Sequence, residues 1–104
     1  MIITTSDRVE EKTVTKTIGL VRGNTIRARH VGQDIMAGLK KIVGGEIGQY
    51  TQMMSEARDE AVQRMVADAQ KQGANAIVGM RFATSMIMEY ASEILAYGTA
   101  VVVE

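Results

Sequence analysis

The sequence predicts an α+β fold in which an antiparallel sheet is packed by one short and one long helix. Two observations carry this prediction. Segments with a two-residue apolar period lie on either side of two segments with a helical period, and the last two strand-like segments are separated by a short connection. The predicted order is strand, short helix, long helix, strand, strand, which is typical of a two-layer domain. Residues 1–104 are expected to form a single domain, since 104 residues is an ordinary domain length.

The first strand is predicted within residues 12–22, KTVTKTIGLVR, because this segment is rich in Thr and Val and its apolar side chains favour one parity. The following RGNT, residues 22–25, is a turn signal, since Gly and Asn accept a positive φ. We expect the chain to continue in an extended conformation over residues 26–31.

Residues 33–43, QDIMAGLKKIV, change to a helical spacing and predict the short helix. Gly44 and Gly45 follow directly, and glycine is the residue that most commonly ends a helix. The stretch GGEIG, residues 44–48, is therefore interpreted as a connection that ends the short helix and redirects the chain into the next one.

Residues 49–72 have the strongest helical pattern in the chain, with apolar and small side chains along one face. At about 1.5 Å per residue, this helix would be roughly 35 Å long. Glu60 and Arg64 are spaced to form an attractive pair on its surface. Gly73 is expected to end the helix in the left-handed conformation.

Residues 75–83 and 93–103 predict two antiparallel strands, and the intervening SMIMEYAS either continues a strand or connects the two. In the first strand, one parity holds Ala76, Val78, Met80 and Phe82, and the other holds Ile77, Gly79, Arg81 and Ala83. In the second strand, one parity holds Ile94, Ala96, Gly98, Ala100 and Val102, and the other holds Leu95, Tyr97, Thr99, Val101 and Val103. Both parities are thus largely apolar, as in strands that are buried on both faces.

The predicted helices can cover one face of this sheet. In a chain of this length, the expected cover for the other face is a second copy of the same chain, so the sequence predicts a homo-oligomer. A monomer with a partly exposed sheet is the alternative.

The composition limits the function classes. Twelve basic and twelve acidic residues cancel, so no overall charge attracts nucleic acid or an anionic membrane. The absence of cysteine excludes disulfides, thiolate metal sites and thiol nucleophiles. No segment approaches the roughly 20 apolar residues of a membrane helix, and no signal-peptide core is present. The cytoplasm is therefore the expected location.

Four segments, IVGGEIGQY, EARDEAVQRM, QGANAIVG and AYGTAV, occur in an order and at a spacing that resemble the YbjQ-like family, bacterial and archaeal proteins of unknown function. The resemblance extends from about Ile18 to Val103, and four ordered motifs make it specific. The family pattern falls on Gly44, Gly45, Glu46, Tyr50, Arg58, Ala61, Gly73, Ala74, Asn75, Gly79, Tyr97, Gly98, Thr99 and Ala100.

The resemblance implies a dodecin-like subunit with a long helix on an antiparallel sheet, and it implies closed ring oligomers, pentamers in particular. The family also carries a heavy-metal-binding label that names no reaction. Some members have an acid at the position of Asn75 and further acids a few residues later, where this chain has Arg81, Phe82 and Ala83. We therefore expect no metal role for that strand in this protein.

Because the chain has one histidine, a site for a divalent or soft metal ion would have to lie on a symmetry axis or include carboxylates. The candidate ligands are His30, Glu46 and Glu93. Met86 and Met88 could offer thioethers to a soft ion such as Cu(I), but alternating methionines of a strand are more often packed on one face.

Other chemistry is less well supported. GGEIG lacks the Lys of a phosphate loop, and Glu46 would repel an anion. A basic cluster near the first predicted turn comes without aromatic stacking residues, which favours a solvated face over nucleic-acid binding. Its members are Arg22, Arg27, Arg29, His30, Lys40 and Lys41.

No catalytic constellation is present, because the single histidine has no G-x-S-x-G serine to activate, so the protein is not expected to be an enzyme. Arg58 lies eight residues after Tyr50 on the long helix. It is interpreted as half of an ion pair at a subunit contact, with Glu46 or Glu93 as its partner.

These observations rank three hypotheses. The first is a non-enzymatic homo-oligomer, a pentamer by the resemblance, whose partner is itself. The second is a heavy-metal-binding protein with ligands shared between subunits. The third is a small-ligand carrier with an apolar pocket between subunits.

Overall fold

The computed structural model describes the backbone of residues 1–28, 45–88 and 91–104, and the side chains of residues 1–27, 51–87 and 91–104. The elements are strand β1 at Ile2–Ile3, strand β2 at Val14–Ala28, helix α1 at Gly45–Lys71, strand β3 at Ala76–Met88 and strand β4 at Ala91–Val103. The strands form one sheet in the order β1-β3-β4-β2. β1 is parallel to β3, and the other two pairings are antiparallel.

The α+β prediction is confirmed, with helix α1 packed on the sheet. The sheet has four strands among the described residues, because the N-terminus adds the short β1 that the sequence did not predict. β3 and β4 are longer than predicted, since SMIMEYAS contributes to both strands. The predicted short helix at residues 33–43 lies outside the described residues.

Strand β2 runs through RGNT without interruption, so the predicted turn at residues 22–25 is wrong. Gly23 has no positive φ. A Cβ added to Gly23 would collide with the carbonyl oxygen of Ala61 and the amide nitrogen of Met65. This glycine is therefore required because it is small, since the backbone of α1 lies directly on it.

Helix α1 begins at Gly45, so the interpretation of GGEIG as a connection between two helices is wrong for its described part. Gly45 and Gly48 lie within the first turn, although each glycine disfavours a helix by about 1 kcal/mol. Adding a residue to an existing helix is much easier than starting one, so the strong pattern downstream can extend through them. Within the described residues, no helix is sufficiently long and apolar to cross a membrane.

The C-terminal end of α1 confirms the role predicted for Gly73, whose φ is 88°. The Ala74 N–H donates to the Ala69 carbonyl at 3.0 Å, and the Gly73 N–H donates to the Gln70 carbonyl at 3.0 Å. This pair of bonds is a Schellman motif, which satisfies carbonyls that a helix end otherwise leaves free.

A bulge at Gly79, whose φ is 63°, changes the alternation of β3. Ile77 and Met80 both belong to the core beneath α1, whereas Ala76 and Val78 belong to a second cluster on the opposite face. The prediction that Met80 shares a face with Ala76 and Val78 is therefore wrong. An extra residue in a strand reverses the parity of every residue after it.

The predicted alternation of β4 is confirmed. Ile94, Ala96 and Ala100 lie in the core beneath α1, and Val101 and Val103 lie in the second cluster. β4 is the strand that separates the two clusters, because it is central in the sheet and carries apolar side chains on both faces.

The buried face of α1 is built from small side chains and one methionine. Ala57, Ala61, Met65 and Ala69 are all fully buried. The Thr25 hydroxyl, also buried, donates to the Ala57 carbonyl at 3.2 Å, so a polar group beneath the helix is satisfied. The alanines allow the helix to approach β2 closely enough for these contacts.

The side chain of Asn75 joins the beginning of β3 to the end of β4. Its amide nitrogen donates to the Val103 carbonyl at 2.9 Å, and its oxygen accepts from the Val103 N–H at 2.8 Å. The amide thus reproduces the paired bonds of a strand neighbour. A carboxylate at this position could accept the second bond but could not donate the first.

The chain is unusually extended for its length. Its radius of gyration is 17.1 Å, whereas a compact domain of this size has a radius of about 13 Å. Its accessible surface is 6902 Å², and the surface typical of a monomer of this mass is about 5,700 Å². The fold therefore leaves more surface exposed than a chain of this mass normally does.

The contact at Gly23 predicts a large effect of a single methyl group. We expect Gly23→Ala to lower the free energy of unfolding by about 2 kcal/mol or more, because α1 must move away from β2. Gly98→Ala should cost less, since the nearest atom to its new Cβ is the side-chain methyl Ile77 Cγ2 at 2.7 Å, which can shift. Urea unfolding of both variants measures the difference, and equal costs would show that α1 does not rest on Gly23.

Candidate functional site

The face of the sheet that α1 does not cover carries rows of side chains paired across β2, β4 and β3. The rows are Leu20–Thr99–Val78, Arg22–Tyr97–Arg81, Asn24–Leu95–Ala83 and Ile26–Glu93–Ser85. Directly paired residues share a face, so these side chains form one surface, the open face.

The base of this side of the sheet is covered by the N-terminal segment. Val9 packs against the second cluster, which includes Val78, Val101 and Val103. Backbone bonds between Thr13 and Glu104, at 3.0 and 2.9 Å, hold the segment against the end of β4. Beyond this segment, Leu20, Arg22, Asn24 and Ile26 of β2 are exposed.

The open face presents apolar side chains to solvent. Leu20 is 64% exposed and Ile26 is 56% exposed, while Leu95 and Tyr97 of the central strand are half-buried. The apolar side chains of Leu20 and Ile26 therefore stay in contact with water after a single chain has folded, which is unfavourable. The open face is therefore suited to contact with another apolar surface.

Polar groups on the open face are arranged in a defined way. The Asn24 amide donates to Oε2 of Glu93 at 3.0 Å. Tyr97 lies between Arg22 and Arg81 in the strand register. Nη1 of Arg81 donates to backbone carbonyls, which orients its guanidinium toward the N-terminal segment. Tyrosine and arginine beside apolar residues are a composition enriched at protein interfaces.

The helix side of β2 carries an ion network. Nη2 of Arg27 lies 2.6 Å from Oε2 of Glu60, and Nη2 of Arg64 lies 2.5 Å from Oε1 of the same carboxylate. The predicted Glu60–Arg64 pair is thus confirmed. The hydrogen bond from Arg27 is the main cause that lowers the pKa of Glu60, and the charges of both arginines act in the same direction against partial desolvation.

The comparisons with known proteins place this chain in a family. The family model described as "Putative heavy-metal-binding", YbjQ, matches residues 1–104. The chain belongs to the YbjQ family. A UPF0145 protein of Dehalococcoides mccartyi is 59% identical over 104 residues, which is all of both chains. A UPF0145 protein of Methanosarcina acetivorans is 57% identical over 101 residues, 97% of this chain and 95% of that one.

A solved structure supports the fold of this YbjQ family member. The crystal structure of a DUF74 family protein from Pediococcus pentosaceus, described as a protein with unknown function, matches with a TM-score of 0.67 at 18% identity. The match covers 100% of this chain and 98% of that one. At this identity the likeness concerns the fold alone.

The residues that match the YbjQ pattern have structural roles where the structure describes them. Gly73 ends α1, and Asn75 joins β3 to β4. Gly98 is buried, and a Cβ added there would lie 2.7 Å from Cγ2 of Ile77. Tyr97 and Thr99 lie on the open face. Gly44 and the side chains of Glu46 and Tyr50 lie outside the described residues.

The predicted metal ligands are not brought together within the described part of the chain. Glu93 is half-buried on β4 and bonded to Asn24, whereas His30 and the Glu46 side chain lie outside the described residues. No group of three His, Cys, Asp or Glu side chains is assembled among the residues described. Met86 is 79% exposed, so it does not pack within this chain.

The predicted basic cluster is divided between the two sides of the sheet. Arg22 lies on the open face, and Arg27 lies on the helix side, where Glu60 neutralises it. The other members, Arg29, His30, Lys40 and Lys41, lie outside the described residues. Arg22 and Arg27 therefore do not form one patch for nucleic acid.

Arg58 has no acidic partner in the described chain. It is exposed on α1, and the ion pairs among the described residues are those of Glu60 with Arg27 and Arg64. Within one chain Glu93 accepts a hydrogen bond from Asn24, and an ion pair of Arg58 across a subunit contact stays a prediction.

Sequence reasoning missed Asn24 and the bond from Arg27 to Glu60. RGNT predicts a turn at Asn24, but the alternation of residues 20–26 continues across RGNT and is the signal that indicates a strand there. Arg27 and Glu60 are 33 residues apart. No local spacing connects them, so the pair requires the packing of α1 on β2.

The ion network predicts a pH-dependent stability. Because the folded pKa of Glu60 lies below the ordinary value of 4.5, the network stabilises the fold above about pH 4.5. This contribution is lost as the pH falls through the lowered pKa. We expect Glu60→Gln to be less stable than the parent in urea at pH 7, with the difference shrinking toward pH 3 and in high salt.

The control for this prediction is Asp59→Asn, a neighbouring exposed carboxylate without a described ion pair. It should change the stability less than Glu60→Gln at pH 7. A difference between the parent and Glu60→Gln that stays constant from pH 7 to pH 3 would contradict the role of the charged network.

Proposed function

We propose that the protein is a non-enzymatic homo-oligomer in which neighbouring subunits cover one another's open face. The observation that carries this proposal is the exposure of Leu20 and Ile26, at 64% and 56%, on a regular four-stranded sheet. The family resemblance makes a closed ring of five dodecin-like subunits the expected assembly, acting in the cytoplasm.

The exposed area is sufficient for such an assembly. The accessible surface of 6902 Å² exceeds that typical of a monomer of this mass by about 1,200 Å². A standard interface removes about 800 Å² from each partner. Burial of the excess surface would thus supply at least one specific contact per subunit, and an extended shape with a radius of gyration of 17.1 Å favours contacts along its length.

The assembly can be tested by native mass spectrometry and light scattering at micromolar concentration. We expect the parent protein to have about five times the subunit mass of 11.3 kDa. Leu20→Lys should lower the mass or weaken the assembly at least about tenfold, because a buried unpaired ammonium is strongly unfavourable. The control Gln63→Lys adds the same charge at an exposed position of α1 and should leave the mass unchanged.

A monomeric mass for the parent protein at these concentrations would refute the proposed assembly. A parent oligomer that Leu20→Lys leaves intact would instead exclude the open face as its interface. Circular dichroism of each variant separates loss of assembly from loss of folding.

Metal binding with ligands shared between subunits is the second candidate, and the description of the family favours it. The described residue that could take part is Glu93, half-buried on the open face. If this function holds, the native mass after exposure to divalent ions or Cu(I) will include bound metal. Glu93→Gln, which removes the charge but keeps the shape, and His30→Ala test which ligands are used. A parent assembly that binds none of these ions would exclude this function.

A further inference from the structure

The two flanks of helix α1 lie over different parts of the sheet. Glu60 and Arg64 are on one flank and bond to β2. Arg58, Val62 and Val66 follow one another at steps of four residues. At about 100° per residue they lie on the opposite flank, which is directed toward β3. Val62 and Val66 pack against the core, so this flank lies next to the sheet.

Three side chains of β3 lie on the same side of the sheet as α1. Phe82, Thr84 and Met86 pair with alternate residues of β4. Two of these partners, Ala96 and Ile94, lie in the core beneath α1. Because directly paired residues share a face, the three β3 side chains are on the helix side. All three are exposed, with Phe82 at 45% and Met86 at 79%.

The hydrogen bond from Thr25 to Ala57 gives the level at which α1 crosses the sheet. Thr25 pairs with Ile94 of β4, which pairs in turn with Thr84 of β3. Arg58 follows Ala57 on the flank toward β3, so it lies at the level of Thr84. It is exposed, and it has no acidic partner in the described chain. An unpaired cation therefore lies above the middle of the exposed strip of β3.

A groove follows between this flank of α1 and β3. A helix with its side chains is about 10–12 Å wide and neighbouring strands lie about 4.8 Å apart, so a helix that packs on β2 and β4 leaves β3 open. Phe82 and Met86 form the floor of this helix-side groove, Val62 and Val66 form its wall, and Arg58 is at its rim. The floor is about 13 Å long, since each strand residue advances by about 3.3 Å.

The composition of the helix-side groove indicates the chemistry of a ligand. Apolar lining with a small number of polar groups that fix orientation is typical of sites for small molecules. Methionine adapts its shape to varied apolar partners. A guanidinium binds a carboxylate through two parallel hydrogen bonds. The groove is therefore suited to a molecule with an apolar body and one carboxylate.

The size of the groove favours a small molecule over a protein partner. The exposed parts of Phe82 and Met86, together with the wall, offer on the order of 300 Å² of apolar surface. A standard protein interface removes about 800 Å² from each partner. The groove alone is thus too small for a specific protein contact.

We propose that the helix-side groove binds a small amphipathic carboxylate. Its chain or ring system lies on Phe82 and Met86 against Val62, and its carboxylate accepts hydrogen bonds from Arg58. This function goes beyond the proposed assembly, because the groove and the open face are on opposite sides of the sheet. A subunit whose open face is covered by its neighbour can therefore still carry a ligand.

Isothermal titration calorimetry of the parent protein with octanoate and with octanol tests this inference. The two probes have the same chain length, and octanol lacks the carboxylate. We expect octanoate to bind saturably, with one molecule per subunit, and more tightly than octanol. Arg58→Met should weaken octanoate binding by at least about fivefold and leave octanol binding unchanged, because it removes the charge and keeps an apolar stem. Arg58→Lys should retain part of the preference for octanoate.

Two further variants complete the comparison. Lys71→Met removes the same charge at an exposed position near the end of α1 and should bind both probes like the parent. Val62→Thr keeps the shape of the wall but replaces a methyl group by a hydroxyl, and it should weaken both probes by about threefold. Circular dichroism checks that each variant is folded, and Arg58 is sufficiently exposed for its replacement to be tolerated.

Several results would overturn the inference. They are a parent protein that binds neither probe, equal affinities for octanoate and octanol, and an Arg58→Met variant that binds octanoate like the parent. Binding that is observed only after dilution to monomers would show that a second copy occupies the groove instead. A lower assembly mass of Arg58→Met in light scattering would show that Arg58 pairs across a subunit contact, which also contradicts the ligand site.

The same samples separate this inference from the proposed function. A monomeric parent that binds octanoate would refute the assembly and leave the groove standing. An oligomeric parent that binds neither probe would overturn the groove and leave the assembly standing.

Discussion

The contact between Gly23 of β2 and the α1 backbone at Ala61 and Met65 determines how the rest of the molecule is arranged. It brings a helix to a strand with no side chain between them, which requires glycine below and small residues above. Ala57 and Ala69 continue this close approach on either side. A helix held this tightly is centred on the edge strand. α1 therefore packs on β2 and β4 and scarcely reaches β3. The core beneath α1 therefore lies mainly over β2 and β4, because the contact at Gly23 fixes the position of the helix.

The position of α1 makes the two edges of the sheet unequal. Long side chains on the outer side of the helix can extend past β2, and Arg64 and Asp68 bond to its backbone there, while Glu60 binds Arg27. No equivalent element is available to β3 among the described residues. Among the described residues, one edge of the sheet is closed by its own helix, and the outer edge of β3 beyond Met80 is apolar and uncovered. Protection of one edge and exposure of the other follow from the same packing, so they do not require separate explanations.

The sequence predicted the helix and the strands that have a regular apolar period, but it did not predict the structural roles of Gly23 and Gly79. The long helix, the end of that helix at Gly73 and the two-faced β4 follow from spacing alone, because burial imposes a regular period on each element. Gly23 and Gly79 are different, since glycine can be selected for its size or for its φ. The turn predicted at Gly23 is wrong because this glycine allows a close approach of α1, and Gly79 forms a bulge that reverses the parity of β3. Only the neighbouring helix or strand distinguishes these uses. The apolar character of the open face was predictable, whereas the bond between Arg27 and Glu60 was not, because it depends on how the elements pack.

The chemistry of the open face favours association between proteins over the capture of an ion. Its rows alternate apolar side chains such as Leu20 and Leu95 with Arg22 and Tyr97, a mixture typical of protein interfaces. The carboxylate there, Glu93, already accepts from Asn24, so a metal would have to displace or share an existing hydrogen bond. The described residues assemble no group of three ligands, so further ligands would have to come from the rest of the chain or from other subunits. A metal site that uses Glu93 would therefore need ligands from outside the described residues, whereas the rows of the open face need only a second apolar surface to cover them.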